Sequence, residues 1–144
     1  MATACGLATL LAAAAQAEDG NAAFEHRRDT MKAMGRALYL GVGRVAKGRA
    51  EYGPDTVASA ETLAKLAATI GTLFPPGSDA PESNMKPALL AAPEKVTQLA
   101  AAVNAAMPGF VTEVKSGDRA RIVAAVAAMN NACNACHNDY RKEE

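Results

Sequence analysis

The 144-residue chain has no tryptophan, and its remaining aromatics are three Tyr and three Phe. Sheets draw on aromatic and β-branched side chains, so this scarcity argues against a β-sandwich or barrel. Charge of one sign is lacking too. Lys plus Arg number 15 and Asp plus Glu number 15, for a formal net charge of zero. No basic stripe is on offer to phosphates, which argues against nucleic-acid binding. No apolar run is long enough to cross a bilayer, so no membrane span is expected. Cysteine is scarce at three residues, too few for a disulfide scaffold. What is plentiful is alanine, a quarter of the chain, and alanine enters helices at the lowest cost of any residue. An all-α protein follows. Alanine buries little area per residue, so the interior of such a bundle calls for another filler.

The first 17 residues read as an export signal. Leu7 to Ala15 is apolar but too short to span a membrane, and Ala15-Gln16-Ala17 is a small-x-small cleavage pattern. Glu18, Asp19 and Gly20 then turn the chain polar. Met1 to Gly6 carries no Lys or Arg, which leaves room for a start upstream of this Met. No Leu-led lipobox precedes Cys5, so it is not read as a lipid anchor. The expectation is a secretory signal peptide over 1–17, a single domain over 18–144, and a bacterial periplasmic location.

Apolar period and punctuation mark four helices. The first runs from about Asn21 to Lys47, with Phe24, Met31, Met34, Leu38, Val42 and Val45 recurring at three and four and Gly48 as its stop. Gly53-Pro54-Asp55 makes a turn, and Asp55 or Thr56 is placed to cap a second helix carrying Val57, Ala60, Leu63, Leu66, Ile70 and Leu73. Phe74 to Pro87 is a proline-rich loop. A third helix starts near Pro93 and carries Val96, Leu99, Val103 and Met107, with Pro108-Gly109 expected to kink it or split off a last piece. After the turn at Ser116-Gly117-Asp118, a fourth helix aligns Ile122, Val126, Met129, Cys133, Cys136/His137 and Tyr140. Short connections between four amphipathic helices predict an antiparallel four-helix bundle.

The chemistry lies in Cys133-Asn134-Ala135-Cys136-His137. Cys-x-x-Cys-His is the attachment signature of haem c. On a helix these positions fall at i, i+3 and i+4, so two thiols meet the two vinyl groups while the imidazole reaches the iron from the same side. Rival uses of the motif fit less well. A structural zinc needs four Cys/His ligands, and after these three only His26 remains. A redox dithiol belongs at a helix N-terminus, where the dipole lowers its pKa, and this pair sits near a helix end. A disulfide between residues three apart closes almost no loop. Seven residues follow His137, so any sixth iron ligand must come from earlier in the chain.

Cys133 to Arg141 resembles the Cys-x-x-Cys-His-x-x-Tyr-Arg ending of the class II c-type cytochromes, the family of cytochrome c′ and its low-spin relatives. Arg27-Arg28-Asp29-Thr30-Met31-Lys32-Ala33-Met34-Gly35 is similar to that family's first-helix segment. Ala46-Lys47-Gly48 matches the Lys-Gly that closes its first helix, with one extra residue in between. Leu73-Phe74-Pro75, Gly77-Ser78 and Lys86-Pro87 resemble its long loop, with Leu90 where a tryptophan is usual. The resemblance implies one covalent haem c, with Cys133 and Cys136 as thioether residues and His137 as proximal iron ligand. It puts Arg27, with Arg28 beside it, near a haem propionate, and matches Arg141 to the arginine that follows the motif. Met31 falls at the position over the open face of the iron, where a bonded methionine makes a low-spin carrier and an unbonded side chain leaves five-coordinate, high-spin iron. Met85 is a loop residue that can approach the haem edge, and His26 reads as a partly exposed helix residue.

Two functions follow. The first is a non-enzymatic one-electron carrier in which Met31 is the sixth ligand and redox proteins dock transiently, since a bonded Met with His raises the potential. The alternative is a gas-binding module whose five-coordinate iron takes NO or CO beneath an apolar lid. The Ser, Asp and Glu residues form no triad or carboxylate pair. Family members are often homodimers through their first helices, and the Leu38-Tyr39-Leu40 run would allow it.

Overall fold

The computed structural model describes residues 6–142, with side chains from residue 20 onward. Cys5 and the rest of 1–5 lie outside the described residues, as does the chain end after Lys142. Four helical rods make the bundle, with no strand among the described residues. The first rod is α1 (Gly6–Gly35), continued by a π-helical stretch over Arg36–Val42 and a last α turn, α2 (Gly43–Ala46). The second is α3 (Pro54–Ala67), the third α4 (Pro93–Lys115) and the fourth α5 (Arg119–Tyr140). Single 3₁₀ turns at Ile70–Thr72 and Pro87–Leu89 punctuate the long connection between α3 and α4. The backbone helix of α1 begins inside the segment read as an export signal.

The π stretch accounts for the extra residue before Lys47-Gly48. A π turn closes hydrogen bonds over five residues instead of four, so it absorbs an insertion without turning the helix end off its face. Val42 at its end and Val45 and Ala46 beyond it therefore stay in the core. Gly41, within the stretch, lies so close to α3 that a Cβ there would overlap Ser59.

The core runs through all four rods: Met34, Leu38 and Val42 of the first, Ala60 and Leu63 of α3, Val103, Met107, Phe110 and Val114 of α4, and Ile122, Ala125 and Met129 of α5. Of the two outcomes expected at Pro108-Gly109, no last piece splits off, because α4 continues through Pro108 to Lys115. A proline inside a helix costs ~3 kcal/mol or more. The stripe on either side offsets this, since Met107, Phe110 and Val114 are all buried and full burial of each such side chain contributes ~1.5–3 kcal/mol. The Thr112 hydroxyl also bonds to the Pro108 carbonyl at 2.9 Å.

The cap of α3 differs from expectation as well. Gly53 occupies the N-cap, Pro54 opens the first turn, and Thr56 at the third position accepts the Gly53 amide at 3.3 Å. Asp118 caps α5, its carboxylate accepting the Arg121 amide at 3.0 Å.

Candidate haem-attachment site

The motif occupies the last turns of α5. After Met129 no residue of this helix is buried, although Ile122, Ala125 and Met129 before it are. Cys133 and Cys136 are half-buried and unbridged, and they face different apolar groups. Cys133 packs with Met31 against the main core. Cys136 packs with Tyr140, Phe74 and Leu90 against a smaller cluster of Met85, Leu89 and Val96. A macrocycle bonded to both sulfurs would lie against both clusters.

The electrostatics suit such a bond. Burial, reinforced by the neighbouring Cys136, pushes the Cys133 thiol above its usual pKa. Burial and then Asp139 do the same for Cys136. Both stay protonated at neutral pH, the state in which a thiol adds across a vinyl group, rather than the thiolate a redox dithiol needs. His137 is exposed as a residue, yet enough protein surrounds its ring to lower its pKa, and the Arg141 guanidinium lowers it further. The imidazole is neutral at pH 7, with a nitrogen lone pair available to iron. No three His, Cys, Asp or Glu among the described residues converge to hold a bare metal ion. One turn before Cys133, the Asn130 side-chain oxygen is buried with no partner among the described residues. Protonated thiols and a neutral imidazole, on one face of a helix end that buries no residue, fit a covalently held haem.

Arg27 is placed by the loop. The residue is only 5% exposed. Nη1 donates to the Leu73 carbonyl at 3.1 Å and to Ser78 Oγ at 2.8 Å. Nη2 donates to the Ser78 carbonyl at 2.7 Å and to Ser83 Oγ at 3.3 Å. The cation also stands over the rings of Phe24 and Phe74, 5.9 and 5.4 Å from their centroids. Arg28 points elsewhere and pairs with Glu25 and Asp29 on the surface. His26 is exposed. Met31 is half-buried, one turn beyond Arg27.

Met85 is 8% exposed and belongs to the small cluster against which Cys136 packs. A short antiparallel bridge holds it there. The Lys86 amide donates to the Tyr140 carbonyl at 2.7 Å and the Lys142 amide to the Asn84 carbonyl at 2.6 Å. The loop and the residues after the motif are thus tied edge to edge. Sequence reasoning did not single out Ser78, Ser83 or Asn130. Serines in a proline-rich loop read as turn residues, and nothing local announces a partner some fifty positions away.

Comparison with known proteins agrees with this geometry. The family model for Cytochrome C′ matches residues 22–141. A curated cytochrome c′ of Rhodocyclus tenuis is 28% identical over 95 residues, covering 62% of this chain and 71% of its own. The crystal structure of cytochrome c′ from Thermochromatium tepidum superposes with a TM-score of 0.74 at 27% identity, covering 86% of this chain and 97% of that one. Cytochrome c′ of Alcaligenes xylosoxidans shares the fold at 24% identity and a TM-score of 0.73, covering 85% of this chain and 94% of its own in its NO-bound ferrous variant. A second variant of that protein was solved with carbon monoxide bound. With the motif face on α5, the four-helix bundle and a family match over 22–141, the chain belongs to the cytochrome c′ family, whose cofactor is covalent haem c.

Proposed function

We propose that this protein is a high-spin cytochrome c′ whose iron takes His137 as its single protein ligand and binds small neutral diatomics such as NO and CO on the face beneath Met31. This reverses the order in which the sequence ranks the two functions. The observation that carries it is the setting of Met31. Its side chain packs on the same apolar core as Cys133 and stands between the buried Met34 and Arg27 turns of α1. In that setting the thioether is packing material for an irregular gap and forms an apolar lid. Such a lid offers no hydrogen bond to water or an anion and admits an uncharged diatomic. The fold it sits in also houses NO and CO in the Alcaligenes protein.

When bound, haem would supply an iron able to change oxidation state and to take a small diatomic. The chain's own residues do the rest. Cys133 and Cys136 would hold the ring against the two apolar clusters, His137 would supply a nitrogen to the iron, and Met85 and Tyr140 would help cover the side of Cys136. Arg27 is the candidate partner for a propionate, through what its loop bonds leave free. The reading is of a binder, not a catalyst. Residues 1–17 act as a cleaved export signal to the periplasm, in keeping with a family match that begins at residue 22, and no described helix is long and apolar enough to cross a membrane. Self-association through the first rod is supported by Tyr39 and Leu40, 49% and 61% exposed, whereas Leu38 is buried.

Optical spectra in both oxidation states, with and without CO, test the proposal. High-spin bands that shift with CO are expected. Low-spin bands indifferent to CO would restore the electron-carrier reading, with Met31 as sixth ligand.

A further inference from the structure

The loop between α3 and α4 meets three separate parts of the molecule, and Ser83 lies where they converge. Its hydroxyl accepts from Arg27 Nη2 of α1 at 3.3 Å and from the Met85 amide at 3.2 Å. Its carbonyl accepts from Lys142 Nζ at 2.7 Å, a residue beyond the end of the motif helix. Ser83 is 4% exposed and Ser78 wholly buried, which is unusual for loop serines flanked by prolines. Further up α1 the loop comes so close that a Cβ at Gly20 would run into the Gly77 carbonyl. Past Ser83, the bridge through Lys86 and Lys142 holds Met85 in the small apolar cluster against which Cys136 packs.

We propose that Ser83 is a positioning residue: with Arg27 and Lys142 it forms a polar latch that holds the Met85 side of the loop closed over the haem edge at Cys136 and so keeps water from it. Arg27 and the Met85 amide share the hydroxyl oxygen, so its loss frees both at once and leaves Lys142 alone on the carbonyl. A closed apolar edge favours the less charged ferrous centre. Opening it to solvent favours the ferric one and lowers the reduction potential. The inference rests on haem attachment at Cys133 and Cys136 and is independent of what binds the open face of the iron.

The test uses the haem-loaded full-length protein and the variants Ser83→Ala, Ser83→Thr and Arg119→Ala. Arg119 bonds the Ala46 carbonyl at 3.1 Å at the opposite end of the bundle, so its loss destabilises the fold without touching the latch. In Ser83→Ala, hydrogen exchange at the Lys86 and Lys142 amides should quicken about tenfold, the scale of one lost buried hydrogen bond. The reduction potential should fall as well. Ser83→Thr, which keeps the hydroxyl, should restore both, and Arg119→Ala should lower the melting temperature while moving neither. Unchanged exchange at Lys86 and Lys142 in Ser83→Ala would overturn the latch. Faster exchange with an unchanged potential would overturn its role at the haem edge. A protein carrying no covalent haem would sink the functional reading instead, and the exchange measurement would still decide whether the latch exists.

Discussion

The two ends of the bundle are held together by different physics. At the end where α4 turns into α5, Val42, Val114 and Ile122 are fully buried, with Phe110 and Val45 nearly so. At the other end the core thins out. The motif helix buries nothing after Met129, and a small cluster of Met85, Leu89 and Val96 shares the joining with the polar contacts of Arg27, Ser78, Ser83 and Lys142. A chain with 35 alanines cannot fill both ends with its own side chains. The apolar end is complete without a cofactor. The motif end is shaped around one.

That contrast is most directly broken by removing the cofactor's attachment. His137→Ala, or Cys133→Ala with Cys136→Ala, should give the largest loss of all. Haem bound only to the folded state stabilises it by mass action, and its absence leaves the motif end underfilled. Hydrogen exchange should become fast over Ala132–Tyr140 while Ile122–Met129 stay protected. In the parent protein, acid and organic solvent should fail to extract the haem, and the mass should exceed that of the chain by one haem. A variant without haem that melted like the parent would dissolve the contrast.

Next in size comes a lesion at the apolar end. Ile122→Ala should cost ~2–5 kcal/mol by denaturant titration, the range for a large-to-small change at a closed site. It should leave the haem spectrum alone, because Ile122 lies more than two turns from Cys133. A spectral shift would mean that the two ends are coupled.

The smallest effect belongs to the surface ion pairs of the apolar end. The Glu113 carboxyl is held below the usual carboxylate range chiefly by its hydrogen bond from Arg121 at 2.6 Å, and Glu61 likewise by Lys115 at 2.7 Å. A depressed folded-state pKa adds stability above the pKa of the unfolded carboxylate, and that stability is lost as pH falls through the folded value. Both pairs are exposed, so the contribution is small. Thermal melts of Arg121→Met should therefore match the parent at low pH and fall slightly below it at neutral pH. A gap that widened on acidification would reverse the sign.

The sequence reveals much of the apolar end and of the attachment chemistry, for local reasons. Val42, Leu63, Val103 and Ile122 announce themselves by period, and Cys133, Cys136 and His137 by a spacing that has meaning only on one helix face. The misses have a shared cause. Pro108 breaks helices by local rule, yet the long stripe around it outweighs that rule. The π stretch at Arg36–Val42 shows in the sequence only as one surplus residue before Lys47-Gly48. The loop bonds of Arg27, to Leu73, Ser78 and Ser83 between 46 and 56 positions away, have no local signal at all. The Met85–Arg141 bridge is likewise a long-range pairing that no local pattern encodes. Periodicity tells which face a residue takes and is silent on which loop folds back over it.

The central claim is that the motif end holds a haem bound by His137 alone, with Met31 as a lid. The ferric electron paramagnetic resonance spectrum of the parent protein, set beside that of Met31→Ala, tests it most directly. The account predicts a high-spin signal in both, since removing a lid leaves the axial ligand unchanged. A low-spin parent that turned high-spin in Met31→Ala would make the thioether a ligand and contradict the account.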